Sequence, residues 1–166
     1  MVSPELIRRY PFFSGLNKDQ ILILTKAAGE LIVDIGHYFF HDGDELDRFY
    51  LVLEGTVAIV CQIPDRDVEQ KISDQLIGTI QTKDVVVTTV GSGEMFGWSG
   101  LIPPHQATAG AKSLTNCRVI AFDCKKVMEA FEEDCRFGYL MTQKTAQVIR
   151  ERLRDLRIET LTYPAE

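Results

Sequence analysis

Between residues 30 and 123 the chain never settles into a helical period. Leu31, Val33 and Ile35 alternate with Glu30, Ile32 and Asp34, and Tyr50–Cys61 reads as two strands joined by a turn at Glu54-Gly55. Val85–Val90 is β-branched throughout, and Arg118–Phe122 makes one more short strand. Turn-forming residues cut these runs at Asp42-Gly43-Asp44, Gly55, Gly91-Ser92-Gly93 and Pro103-Pro104. Gly, Pro and Asp punctuate chains for conformational reasons, so short strands at such spacing predict a β-barrel, jelly roll or sandwich. The polar stretch Pro64–Lys83 reads as a long hairpin extension or loop.

Helical spacing flanks this zone on both sides. In residues 1–29, Asn17 can cap a helix with Gln20 three places on, and Ile21, Leu24 and Ala28 then share a face. In residues 124–166, Asp123 can cap a helix through Phe131, and a second helix is expected from about Phe137 to about Thr160, roughly 36 Å long. Ala146, Ile149, Leu153 and Leu156 step by three, four and three along it, a short a/d seam. Such a seam suits a symmetric helix–helix dimer; packing on the chain's own β zone is the alternative. Lys144, Arg150, Arg152, Arg154 and Arg157 on the same helix read as a solvated, mildly basic face.

The 166 residues carry 18 Lys and Arg against 24 Asp and Glu, a net charge of −6. Nucleic-acid binders depend on positive charge to release counterions, so this balance argues against DNA or RNA as a direct partner. It leaves room for a small anion in a local pocket. Cys61, Cys117, Cys124 and Cys135 show no CxxC spacing, Met1–Arg9 lacks an apolar signal core, and no apolar run is long enough to span a membrane. A soluble cytoplasmic protein with reduced thiols is expected.

Several chemical motifs fail on spacing. Gly91–Gly97 reads GxGxxxG, one residue too long for a dinucleotide loop, and Pro103-Pro104 interrupts the helix it would need. Asp42, Asp44 and Asp47 lack the remaining oxygen ligands of a calcium loop, so turn chemistry explains them better. His37 and His41 have no third metal ligand, and Ser99 lies outside a GxSxG elbow. No enzyme activity and no metal are expected. The informative segment is Phe96–Ala111, FGWSGLIPPHQATAGA. A single helical turn starting near Trp98 would aim free backbone N–H groups at one point, which suits a phosphate or carboxylate.

Here the chain resembles the cyclic nucleotide-binding domain of the Crp/Fnr regulators and protein kinase A regulatory subunits. Tyr10–Leu16 is similar to the family's opening segment. Gly43-Asp44, Asp47, Tyr50, Val52, Gly55 and Val57 resemble its strand-turn-strand block, and Val90–Gly97 resembles the approach to its phosphate-binding cassette. The resemblance implies a mainly β fold with flanking helices: an eight-stranded β-roll, jelly-roll-like, with a long C-terminal helix that forms the dimer seam in bacterial regulators. It places ligand contacts at Phe96, Gly97, Trp98, Ser99, Gly100, Leu101, His105, Gln106, Ala107 and Thr108.

The cassette departs from the family pattern. Trp98 stands where the family's ribose-binding Glu belongs, His105 is the nearest match to its phosphate-binding Arg, and the segment is about two residues shorter after Ile102. Arg is a planar, always-charged clamp, whereas His is mostly neutral at pH 7. Losing both charge-assisted contacts should cost about 3–6 kcal/mol, a weakening of about 100- to 10,000-fold. The expectation is a stand-alone regulatory or sensor domain for a cyclic nucleotide or other anionic small molecule, with altered or weakened specificity. Nine residues follow Arg157, too few for the family's winged helix, so any output is expected through a separate effector protein. The alternative is a ligand-free interaction or dimerisation module in which Trp98 and the Pro-Pro segment fill the cavity.

Overall fold

The computed structural model describes residues 2–64 and 82–162. Helix α1 (Pro4–Arg8) starts from Ser3, whose hydroxyl accepts from Leu6 N–H, with Pro4 in the first turn where no donor is needed. A 3₁₀ turn follows over Pro11–Phe13. Helix α2 (Lys18–Ala27) carries the expected capping box between Asn17 and Gln20. It stops at Ala27, so its buried face is Gln20, Ile21, Leu24 and Ala27. Ala28, expected on that face, instead opens strand β1 (Ala28–Val33), opposite Phe122 on the last strand. The β zone therefore begins two residues before the expected boundary at residue 30. Ile35 lies beyond β1 and is exposed.

The other strands are β2 (Tyr38–Phe40), β3 (Arg48–Glu54), β4 (Val57–Pro64), β5 (Thr82–Val90), β6 (Met95–Phe96), β7 (Gly110–Ser113) and β8 (Cys117–Asp123). The expected extension over Pro64–Lys83 lies, for residues 65–81, outside the described residues. The eight strands form two antiparallel four-stranded sheets, ordered β1-β8-β3-β6 and β2-β7-β4-β5. This is the jelly-roll-like β-roll anticipated from the sequence.

Strands β3 and β8 are covered on both faces, which explains their unbroken apolar runs. Because side chains alternate along a strand, Phe49, Leu51 and Leu53 face one cluster with Ile120 and Phe122, where α1, α2 and the later helices pack. Tyr50 and Val52 face the interior of the roll with Val57, Phe96, Val119 and Ala121. Phe49 and Phe122 stack at 4.7 Å on the helix side, and Tyr50 and Phe96 stack at 4.9 Å inside.

Asp123 caps α3 (Cys124–Glu133) by accepting from Lys126 N–H. The long helix α4 (Cys135–Thr162) starts two residues earlier than expected, because Asp134 accepts from Phe137 N–H and from the Gln20 amide. Phe137, Met141 and Thr145 are buried against the core, and Val148 packs at its edge. Ala146 and Leu153 point away from the roll and are exposed, while Ile149 is half-buried. Packing on the chain's own roll thus uses a different face from the expected seam, apart from Leu156, which borders the cavity described next.

Candidate functional site

The site begins where β6 ends. Gly97 sits at φ +73°, and a Cβ there would meet the Tyr50 ring at 3.2 Å, Arg48 O at 3.3 Å and the Phe40 ring at 3.4 Å. Only glycine makes this turn cheaply while lying flat on the aromatic interior. The chain then makes one 3₁₀ turn over Trp98–Leu101, as expected from the sequence. Gly100 N–H donates to Gly97 O at 3.1 Å, and Ile102 N–H to Ser99 O at 3.1 Å.

The return of this segment is anchored by the Gly43-Asp44 turn. Gly43 N–H donates to Ala107 O and Ala107 N–H to Asp44 O, while Leu46 N–H donates to His105 O at 2.8 Å. Asp44 shapes its own turn by accepting from His41 N–H at 2.7 Å. Turn chemistry therefore accounts for this aspartate, and its product is the fixed position of residues 105–107.

A cavity of about 250 Å³ opens beside the turn. Phe96, Gly97, Trp98, Ser99, Ala107 and Thr108 line it, six of the residues singled out in the sequence. Strands contribute Phe40, Ile59, Cys61, Val87, Thr88 and Val90, and α4 contributes Arg152 and Leu156. Trp98 packs partly against the helix-side core and presents its remainder to the cavity. It borders the space without closing it.

The other four sequence candidates lie elsewhere. Gly100 is packed against Leu46 and Cys124. Leu101 belongs to a separate recess of about 200 Å³, with Pro103 and residues of α3 and α4. Gln106 is exposed and bridges to Glu45. His105 does not line the cavity: its φ is +63°, and its Nδ1 lies 3.0 Å from Gly100 O, so the ring folds back onto the cassette's own backbone. The residue expected to match the family's phosphate-binding Arg thus places no side chain in the cavity.

The charge comes from a residue that the sequence analysis assigned to solvent. Arg152 is 19 % exposed, and its guanidinium donates to Thr89 O and to Glu94 Oε1, each at 3.3 Å. Glu94 in turn accepts from Gly91 N–H through Oε2 at 2.7 Å. Among the described residues lining the cavity, Arg152 is the single charged group. Helical arithmetic contained the signal: Phe137, Met141, Thr145, Val148 and Arg152 step by four, four, three and four, the spacing of one face.

Two buried groups stay neutral. Burial pushes the Tyr50 phenol above its usual value. Burial, with Asp47 and Asp123 nearby, pushes the Cys124 thiol up to about 12. Among the described residues no group of three or more His, Cys, Asp or Glu side chains could hold a metal ion, and no helix is long and apolar enough to cross a membrane.

Comparison with known proteins agrees with this geometry. The chain is 26 % identical over 119 residues to the CRP-like cAMP-activated global transcriptional regulator of Mycobacterium tuberculosis, covering 72 % of this chain and 46 % of that protein. It therefore spans about half the length of the curated relative it matches. A Geobacter metallireducens chain described as a cyclic nucleotide-binding protein superposes with a TM-score of 0.73 at 25 % identity, over 92 % of this chain and 99 % of that one. The regulatory domain of Toxoplasma gondii PKA, solved with cAMP, has a TM-score of 0.62 at 16 % identity, over 87 % of this chain and 48 % of that one, a likeness of fold. The sequence profile of the cyclic nucleotide-binding domain matches residues 31–134, more than half of the chain, and on that match the chain belongs to the cyclic nucleotide-binding domain family.

Proposed function

We propose that this domain is a regulatory sensor whose cavity takes a nucleotide or other small anionic ligand, with cyclic-nucleotide recognition weakened relative to the family pattern. The observation that carries the reading is the open space of about 250 Å³ beside the Trp98–Leu101 turn, at the family's ligand-binding segment. Membership of a ligand-binding regulatory family favours binding over catalysis. Weakened recognition follows from Trp98 in place of the ribose-binding carboxylate and from a His105 ring turned away from the cavity. Starting from a micromolar site, the two losses predict a cAMP dissociation constant of about 0.1–10 mM.

Calorimetry with cAMP, cGMP and a panel of anionic metabolites tests this. The expected result is sub-millimolar to millimolar binding of at least one nucleotide; silence across the panel, with thermal stability flat in every ligand, overturns it. One feature favours the second reading, a ligand-free interaction module: the cavity is smaller than the roughly 300–1,000 Å³ common for ligand sites.

The same reading places the protein in the cytoplasm, supported by Cys61, Cys117, Cys124 and Cys135 being free thiols. It makes the protein a homodimer through the α4 face of Ala146, Ile149, Leu153 and Leu156. The exposure of Leu153, 47 %, supports a partner there. Sedimentation equilibrium should give twice the chain mass for the wild type and a monomer for Leu153→Glu; a monomeric wild type refutes the dimer.

A further inference from the structure

We infer that Arg152 supplies the countercharge for the ligand's anionic group, so that the anion is read from helix α4 and not from the cassette. This rests on the reading of the cavity as a ligand site. The cavity walls combine three aromatic faces, Phe40, Phe96 and Trp98, with one cation at the α4 side. That lining suits a flat, largely apolar body carrying a single anionic group, the chemistry of a nucleoside phosphate. The cassette offers no competing cation, because His105 is folded onto Gly100 O.

Arg152 is held in place by two contacts among the described residues. A guanidinium has five N–H donors in a planar fork suited to phosphate or carboxylate. Among the described residues two of these donors find acceptors, Thr89 O and Glu94 Oε1, both at 3.3 Å. That is long for a charge-assisted contact. Glu94 is half-exposed and keeps its own partner, Gly91 N–H, if the guanidinium turns away. It acts as a resident anion that an incoming phosphate displaces.

The exchange has a structural consequence. Arg152 stands one residue before Leu153, on the helix whose other face carries the exposed Ala146 and Leu153. An anion that draws the guanidinium from the β5 edge and Glu94 into the cavity therefore acts directly on α4. Arg152 also restores part of what the cassette lost, which puts cAMP nearer the hundredfold than the ten-thousandfold end of the expected weakening.

The test uses the full chain, with Trp98, its single tryptophan, as the reporter in the cavity wall. Fluorescence titrations with cAMP and with adenosine, which lacks the phosphate, are compared for wild type, Arg152→Gln, Arg152→Lys and Glu94→Gln. Arg152→Gln should weaken cAMP about 10- to 150-fold and leave adenosine unchanged. Arg152→Lys should fall between it and wild type. Glu94→Gln should tighten cAMP by about two- to fivefold, since the displaced contact is a partly exposed ion pair. Circular dichroism checks that each variant is folded. Equal loss of both probes in Arg152→Gln means a purely structural role, and no loss of either means no role; both overturn the inference while leaving the cavity as a ligand site. A wild type silent to both probes also overturns this inference, while a response to another anion of the panel keeps the cavity as a ligand site.

Discussion

Replacing Gly100 with alanine should loosen the cassette from its base in a way that a second substitution partly repairs. A Cβ at Gly100 would lie 2.7 Å from Cys124 Sγ, 3.3 Å from Leu46 Cβ and 3.3 Å from Leu46 O. Neither neighbour gives easily. Cys124 is 1 % exposed at the start of α3 and its N–H is tied to Asp47 O, while Leu46 N–H is tied to His105 O. Overpacking of a well-filled site costs about 1–3 kcal/mol. Cys124→Ala alone removes one buried sulfur and should cost about 1 kcal/mol. In the double variant the closest contact is gone and the Leu46 contacts remain. The two substitutions should therefore fail to add, with a favourable coupling of about 0.5–2 kcal/mol. Urea denaturation followed by circular dichroism measures all four proteins, with an unchanged slope expected because the surface exposed on unfolding is the same. Additivity within about 0.5 kcal/mol would refute the packing argument, and so would a neutral Gly100→Ala.

Three further outcomes follow from the site and its surroundings. His105→Ala should leave nucleotide affinity within twofold in Trp98 titrations, since the ring does not line the cavity; a loss of tenfold or more would place it in the site. Iodoacetamide at neutral pH should label exposed Cys135 and spare Cys124, whose thiol burial pushes up to about 12; peptide mapping that finds Cys124 modified in the folded protein contradicts this. Asp134 is held below the usual carboxyl range by its bonds from the Gln20 amide and the Phe137 N–H. Its contribution is present above the unfolded carboxyl value, near pH 4, and is lost as pH falls through the lowered folded value. Asp134→Asn, which keeps a capping oxygen, should therefore flatten the acid limb of a stability–pH profile, and an unchanged limb would show that this carboxylate does not drive it.

Local chemistry made much of the fold readable. The Asn17–Gln20 capping box, the Asp123 cap, the Gly55 turn and the β-branched run of β5 all announce themselves in neighbouring residues. Boundaries slipped where tertiary contact decided them. Ala28 pairs with Phe122 across the sheet, and Asp134 receives Gln20 from far along the chain; neither partner is visible in a local window. The cassette turn was legible because glycines and small residues cluster at Gly97–Gly100. The direction of His105 was not, since it depends on a left-handed backbone, uncommon outside glycine, in a segment held by bonds from the distant Gly43–Leu46 turn. Arg152 was legible in principle. Its charge suggested solvent, while its spacing from Met141 and Val148 put it on the packed face, and for a long amphipathic side chain the spacing was the better guide.

A crystal structure of the chain grown with millimolar cAMP tests the account most directly. The purine should lie against Trp98 and Phe96, and the cyclic phosphate within hydrogen-bonding distance of the Arg152 guanidinium, with Glu94 released. A phosphate seated instead beside His105, or a bound nucleotide with Arg152 still on Glu94, would contradict it.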